Sequence, residues 1–292
     1  MAYTTAKLLS QIERRSFVPA NQSTFSAAEI LTMAHEELTS FIFPEIIKSR
    51  EEYFIWYNDS AITANQSGYD VPVRSFNSTL REIKKLVGTS LVNLTKSEIE
   101  DLESTQTGVP SKFYFKGDKV HLYPTPNSTV NTLRQYFVLT PGEYIETDSN
   151  VDYAVVSAID TDTNVVSVTA IPSSWTTGDI FDFLRKDGDH SYRGIDCTST
   201  LVSGTDITFP LLPSNLAVGD YICPQGYSSL VQLPNAFRPV LAQLAAAALL
   251  ESAGQPGADE ARKKGMAMLE KAVDNINPRI IGENKYITHN WF

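Results

Sequence analysis

Residues 111–138, SKFYFKGDKVHLYPTPNSTVNTLRQYFV, carry the densest strand signal in the chain. Phe113, Tyr114 and Phe115 are aromatic and favour a pleated, half-buried surface. Lys116-Gly117-Asp118 supplies a turn, because glycine accepts the positive φ that a tight turn needs. Val120, Leu122 and Tyr123 resume the strand, and Pro124-Thr125-Pro126-Asn127 stops it, since proline has no N–H for the ladder. A third strand occupies residues 132–138. The chain before this run is mostly helical; after it come strands and then helix again. The run is therefore expected to be the sheet on which both ends of the chain pack.

Upstream, residues 5–15 read as a short helix with Leu8, Leu9 and Ile12 on one side. Ser26-Ala27-Ala28-Glu29 is a capping box, with Phe25 and Ile30 placed as a hydrophobic staple. The helix it opens puts Ile30, Leu31, Ala34, Leu38, Phe41 and Ile42 on one face. Pro44 predicts its end near Phe43. Residues 46–56 suit a second helix, although residues 53–57 suit a strand equally well. Strands are expected at 69–73 and 80–87, and a loop with a helical turn at 97–102 within residues 90–103.

After Pro141-Gly142 the texture changes. Short β-branched runs at 153–159, 165–171, 180–184, 191–197, 206–209 and 221–223 alternate with turn residues, which predicts a small barrel or sandwich. Both ends of this region abut segments assigned elsewhere, as in an inserted domain. Helix then returns. Asn235 is a candidate cap, and Pro239 is tolerable in a first turn. Residues 241–250 are alanine- and leucine-rich, and Gly254 is a stop. A second helix over 258–276 has Ala261, Met268, Leu269, Ala272, Val273 and Ile276 inward, and Pro278 ends it. The two form a helical hairpin. The predicted fold is thus α+β: a body of residues 1–143 and 234–292, an all-β insertion at 144–233, and an extended tail.

Composition bounds the function. The chain has 292 residues, 42% of them hydrophobic and 20% charged, as in an ordinary globular protein. Its formal charge is -10, which argues against wholesale neutralisation of phosphates. Lys84-Lys85 and Arg262-Lys263-Lys264 read as solvated faces. No signal peptide and no bilayer-spanning run is visible, which points to a cytoplasm or something assembled there. Cys197 and Cys223 read as buried thiols, with a disulfide left open.

Chemical motifs fail one by one. Asp160, Asp162 and Asn164 open like a calcium loop, but Val165 stands where glycine is needed and Ile171 where a bidentate glutamate belongs. His35, His121, His190 and His289 are scattered, and His35 beside Glu36 suits a solvated position. The chain has no G-x-S-x-G, G-x-G-x-x-G or P-loop. Asp179 and Asp182 flank Phe181, a bare possibility for glycoside hydrolysis. Trp175 and Tyr192 suit either a carbohydrate-stacking site or a barrel core. No catalytic residue, metal or cofactor is expected, and the chain does not read as an enzyme.

The order of a capped helix pair, GDKVHLYPTP followed by LRQYFV, then LPNAFRPVLAQLAAAALLESAG, a lysine-rich helix and NPRIIGENK resembles the head-to-tail connector, or adaptor, proteins of tailed bacteriophages. The resemblance covers residues 5–138 and 233–292 and leaves out the β insertion. It implies a virion structural protein at the head–tail junction, assembled in the host cytoplasm. Such a protein forms a homo-oligomeric ring, typically of twelve subunits, docked under the portal protein. The ring extends the DNA channel without sequence-specific binding and offers its far face to tail or nozzle proteins. The tail residues Arg279, Ile280, Ile281, Tyr286, Ile287, Trp291 and Phe292 are then the partner-docking segment. The alternative is a tail or baseplate protein whose β domain binds a glycan.

Overall fold

The computed structural model describes residues 2–17, 24–98, 106–129, 131–147, 152–187 and 192–276. The seven tail residues of the docking segment, His190, His289 and most of the helical turn expected at 97–102 lie outside the described residues. The fold is mixed α+β, with several sheets and helices. Its chain divides into two compact units, residues 51–143 with 225–227, and residues 1–50, 144–224 and 228–292. This grouping differs from the division of the body (1–143 and 234–292) from the insertion (144–233). The cut near residue 143 is shared, but the strands after it group with the helices.

In the first of these units the run at 111–138 serves two larger sheets rather than one, and Thr125–Pro126 within it pairs with Thr107–Gly108 as a third, two-stranded one. The hairpin of Lys112–Lys116 and Lys119–Tyr123 lies in a four-stranded sheet with Gly68–Asp70 and Thr95–Lys96. Strand Thr132–Leu139 is instead central in a second sheet, between Ile55–Ala61 and Ser75–Val87, with Ser90–Asn93 at the edge. The prolines between the two parts end one ladder and free the chain to start another. Ile83 and Leu133 of one sheet pack with Tyr69, Phe113, Val120 and Leu122 of the other, a two-layer core. Strand Ser75–Val87 bulges opposite Phe137, where Asn77 and Ser78 take positive φ (49° and 56°). Residues 90–96, read from sequence as loop, are two short strands.

The other unit holds the helices and the later strands. Helix α1 is Thr5–Ser16, α2 Ala27–Glu37, α3 Phe43–Arg50, α4 Arg238–Ser252 and α5 Ala258–Ile276. The capping box at α2 is formed in full: the Glu29 N–H donates to Ser26 Oγ at 3.2 Å, and the Ser26 N–H donates to Glu29 Oε2 at 2.7 Å. The stop expected at Phe43 does not occur. A π-turn, Leu38–Ile42, carries the helix into α3, and the Phe43 N–H donates to the Leu38 carbonyl. Pro44 then falls in the first turn of α3, where its missing N–H costs little.

Helix α4 is buried almost all round, from Val240 to Ala247, and packs against α1, α2 and α5. Its alanines permit that close approach. The expected Asn235 cap is not used; Phe237 is the N-cap and makes no side-chain cap bond. Gln243 ties three helices together, accepting from Arg15 Nη1 at 2.8 Å and donating to the Ala261 carbonyl at 3.3 Å. Arg262 of α5 grips Glu37 of α2 with two bonds, at 3.0 and 3.2 Å. Burial pushes the Glu37 carboxyl up despite that partner.

Seven strands of residues 154–208 and 221–224 form one antiparallel sheet. Its two outermost strands, Tyr192–Thr198 and Leu201–Ser203, are successive in the chain. Between them the Ser199 N–H donates to the Asp179 carbonyl at 2.9 Å and the Thr200 N–H to the Thr208 carbonyl at 2.8 Å. The sheet thus curls into a barrel-like shape whose two edge strands are joined by residues 199–200. Its core packs Trp175 at a tilt against Phe181 (4.6 Å between centroids) and Phe183 edge-on against Phe209 (5.2 Å). The chain approaches and leaves the barrel through the paired strands Glu143–Tyr144 and Tyr227–Ser228. Segments next to that pair hold the start of α1: the Thr5 N–H donates to the Ser229 carbonyl, the Val231 N–H to the Tyr3 carbonyl, and the Ala6 N–H to Thr147 Oγ1.

Candidate interaction surfaces

Among the described residues, the acids and rings singled out for chemistry are engaged by the fold. Asp160 accepts from the Asp162 and Thr163 N–H groups and from Thr163 Oγ1, which lowers its carboxyl and makes a closed turn. Asp179 caps its own turn through the Thr176 N–H at 2.6 Å, whereas Asp182 is fully buried and accepts from the Asp196 N–H. Trp175 and Tyr192 are both buried. Cys197 and Cys223 are free thiols. Burial pushes each up to about 12, so neither is a thiolate nucleophile near neutrality. His35 is not solvated as expected; it packs edge-on against Tyr144, with centroids 5.7 Å apart. His121 stacks on Tyr114 at 5.1 Å, and burial first, then Lys116 and Lys119, lower its pKa. Among the described residues no group of three or more His, Cys, Asp or Glu is placed to hold a metal, and no helix is long and apolar enough to cross a membrane.

Three surfaces remain. The outer face of the sheet centred on Thr132–Leu139 carries a ladder of rings and charges. Arg134 makes a bidentate pair with Asp59 (2.6 and 2.7 Å) and lies 4.0 Å over the Tyr57 ring. Lys84 lies 5.3 Å over Tyr136 and pairs with Glu82 at 3.0 Å. Alternating charges across neighbouring strands satisfy one another. A phosphate backbone would have to break those pairs to use the cations. At the rim of the same sheet, edge strand Ser90–Asn93 is exposed throughout, including Leu91 and Val92. Such an edge offers backbone donors and acceptors to another strand.

The third surface is an apolar groove of about 630 Å³ between α3 and α5. Phe41 and Met266 stand at its mouth, 37% and 41% exposed. Sequence periodicity put Phe41 inward, but the π-turn inserts an extra residue into its turn and rotates Phe41 outward. Likewise Met268, read as inward, is only half-buried, and Gly265, Leu269 and Ala272 form the buried stripe of α5. The groove's one sequence signal was Pro44 in an otherwise helical run, which marks a helix irregularity without giving its direction.

No protein-family model matches the chain, and no curated protein matches it significantly.

Proposed function

We propose that this chain is a subunit of a phage head-to-tail connector that assembles as a ring beneath the portal and joins the capsid vertex to the tail. The observation that carries the reading is the chain's C-terminal end. Ile280, Ile281, Tyr286, Ile287, Trp291 and Phe292 follow Pro278, directly after a helix whose outer side already exposes Met266. An apolar sequence of this kind suits burial against a partner. Burial of two large side chains contributes roughly 3–6 kcal/mol before ordering costs, enough to matter in a multivalent ring. The order of motifs, the acidic charge and the use of Asp160, Asp179, Asp182, Trp175 and Tyr192 by turns and cores are consistent with a structural role. The glycan-binding alternative has less support, because Trp175 and Tyr192 are buried.

Truncation after Pro278 tests the reading. The shortened chain is expected to keep its helical circular dichroism and to lose assembly onto the portal. Normal assembly by the shortened chain would remove the docking role of the tail. Loss of its folded signal would assign the tail to the subunit's own core.

A further inference from the structure

We infer that copies of this chain join head to tail through one sheet, edge strand Ser90–Asn93 of one copy pairing antiparallel with edge strand Ile55–Ala61 of the next, Leu91 opposite Tyr57. The inference adds the contact between copies to the connector reading, and it rests on the two edges rather than on that reading.

The sheet runs in the order Ile55–Ala61, Thr132–Leu139, Ser75–Val87, Ser90–Asn93, each strand antiparallel to its neighbour. Among the described residues no strand covers the outer side of either end. With four antiparallel strands, the two edges run in opposite directions. A second copy brought alongside by rotation, without being turned over, therefore sets its Ile55–Ala61 antiparallel to Ser90–Asn93 and keeps the buried faces on one side. Both edges carry exposed apolar side chains: Leu91 is 41% exposed, Val92 45% and Tyr57 45%. Ser90–Asn93 has no charged side chain of the kind that guards an edge.

The ladder already formed fixes which backbone groups are free. The Leu94 N–H donates to the Ile83 carbonyl at 3.1 Å. Bonded residues alternate along an antiparallel strand, so Val92 also faces strand Ser75–Val87, and Leu91 and Asn93 turn their N–H and C=O groups away from it. On the other edge the Ile62 N–H donates to the Asn131 carbonyl at 2.9 Å. By the same alternation Ile55, Tyr57, Asp59 and Ala61 point their backbone groups away from strand Thr132–Leu139. Leu91 can thus bond any of these four in the next copy. Opposite Asp59 or Ala61, it leaves Val92 against Asn58 or Ser60. Opposite Ile55, it carries Val92 beyond the start of the strand. Opposite Tyr57, it places Val92 against Trp56 and Ser90 against Asn58, so apolar meets apolar and polar meets polar.

A second copy turned over is the competing occupant. A two-fold pairing of Ser90–Asn93 with itself that bonds both Leu91 and Asn93 within the strand passes through Val92 and sets Leu91 against Asn93 twice. It also leaves the edge Ile55–Ala61 unused in both copies. The head-to-tail pairing uses both edges of every copy, and such a contact propagates into a ring or a filament instead of stopping at a dimer.

Disulfide trapping of the isolated, full-length protein tests the pairing. Ser90 and Asn58 are exposed. In the inferred register they form a non-bonded cross-strand pair, whose Cα atoms lie about 4.5 Å apart, within disulfide reach. The double variant Ser90→Cys, Asn58→Cys, oxidised at high protein concentration, is expected to give a ladder of covalent dimers, trimers and larger species. Each single variant, and the wild type with its Cys197 and Cys223, is expected to run as a monomer on a denaturing gel. A folded double variant that yields no ladder, or one that stops at the dimer, would overturn the inference. So would covalent dimers of Val92→Cys alone, which assign the edge to a two-fold pair. If the double variant fails to fold, amide exchange of the wild type gives the reading instead. The Leu91 and Tyr57 N–H groups are expected to exchange at least about tenfold more slowly in concentrated than in dilute protein, and rates independent of concentration would overturn the pairing. No portal is present in either experiment, so failure here is distinct from failure of the connector reading.

Discussion

Lys85 is a cation on the wrong side of a sheet. It is 6% exposed, and its ammonium donates to the Pro110 carbonyl at 2.9 Å. Burial lowers its pKa from the ordinary 10.5. The folded chain therefore releases this proton at a lower pH than the unfolded chain. Between the two values the unfolded state binds more protons, so stability rises with pH there; the gain is complete above 10.5 and is lost as pH falls through the folded value. Urea unfolding of the wild type and of Lys85→Met over the alkaline range should show the wild type gaining stability relative to the variant. Parallel curves would mean that Lys85 reaches water. At the start of α2, Ser26→Ala removes a cap in which both reciprocal bonds are formed, and should cost about 1 kcal/mol by the same assay. The two residues differ in how legible they were. The Ser-x-x-Glu spacing announces its own geometry, because the partners are local. Lys85 alternates with Lys84 in sequence, and only the pairing with Thr132–Leu139 shows which of the two points inward.

Elements were legible where the signal was periodic or punctuated. The hairpin at Lys116–Lys119, the barrel strands and the α4–α5 pair follow from turn glycines and apolar spacing. Pro44 and strand Leu201–Ser203 are among the places where it was neither. Pro44 looked like a stop, yet the π-turn before it, closed by the Phe43 N–H on the Leu38 carbonyl, carries the helix on and leaves Pro44 in a first turn, where a missing N–H costs little. Strand Leu201–Ser203 was missed because three residues carry no period, although they form one edge of the barrel's sheet. Helix packing yields a sharper test. A Cβ on Gly265 would come within 2.5 Å of Leu244 Cδ2, on a fully buried side chain of α4. Helix propensity favours alanine over glycine by up to about 1 kcal/mol, and overpacking costs roughly 1–3 kcal/mol. Gly265→Ala is thus expected to lower stability by up to ~2 kcal/mol, against its propensity. A stabilised variant would show that the two helices can separate at no cost.

At the scale of the whole molecule, the sequence located the barrel but not its allegiance. Its strands were read as an insertion in a single body, whereas they group with the helices, and the sheets of residues 51–143 form their own unit. The reason is local and was invisible in the pattern. Residues 145–147 and 228–231 carry no strong signal, yet their backbone and Thr147 bind the first turn of α1. Replacement of residues 152–224 by a short Gly/Ser link, with both of those segments kept, should therefore leave a soluble protein with its helical signal. A product that loses that signal would show that the barrel is needed to fold the helices. The groove between α3 and α5 was not legible, because a phase shift in one helix creates it.

The central claim is that this chain assembles onto a portal. Native mass spectrometry of the full-length protein mixed with its cognate portal ring measures that directly. The account predicts a complex heavier than the portal by a whole ring of this chain, with no partly filled states dominating at saturation. A portal whose mass is unchanged in the presence of excess folded protein would contradict it.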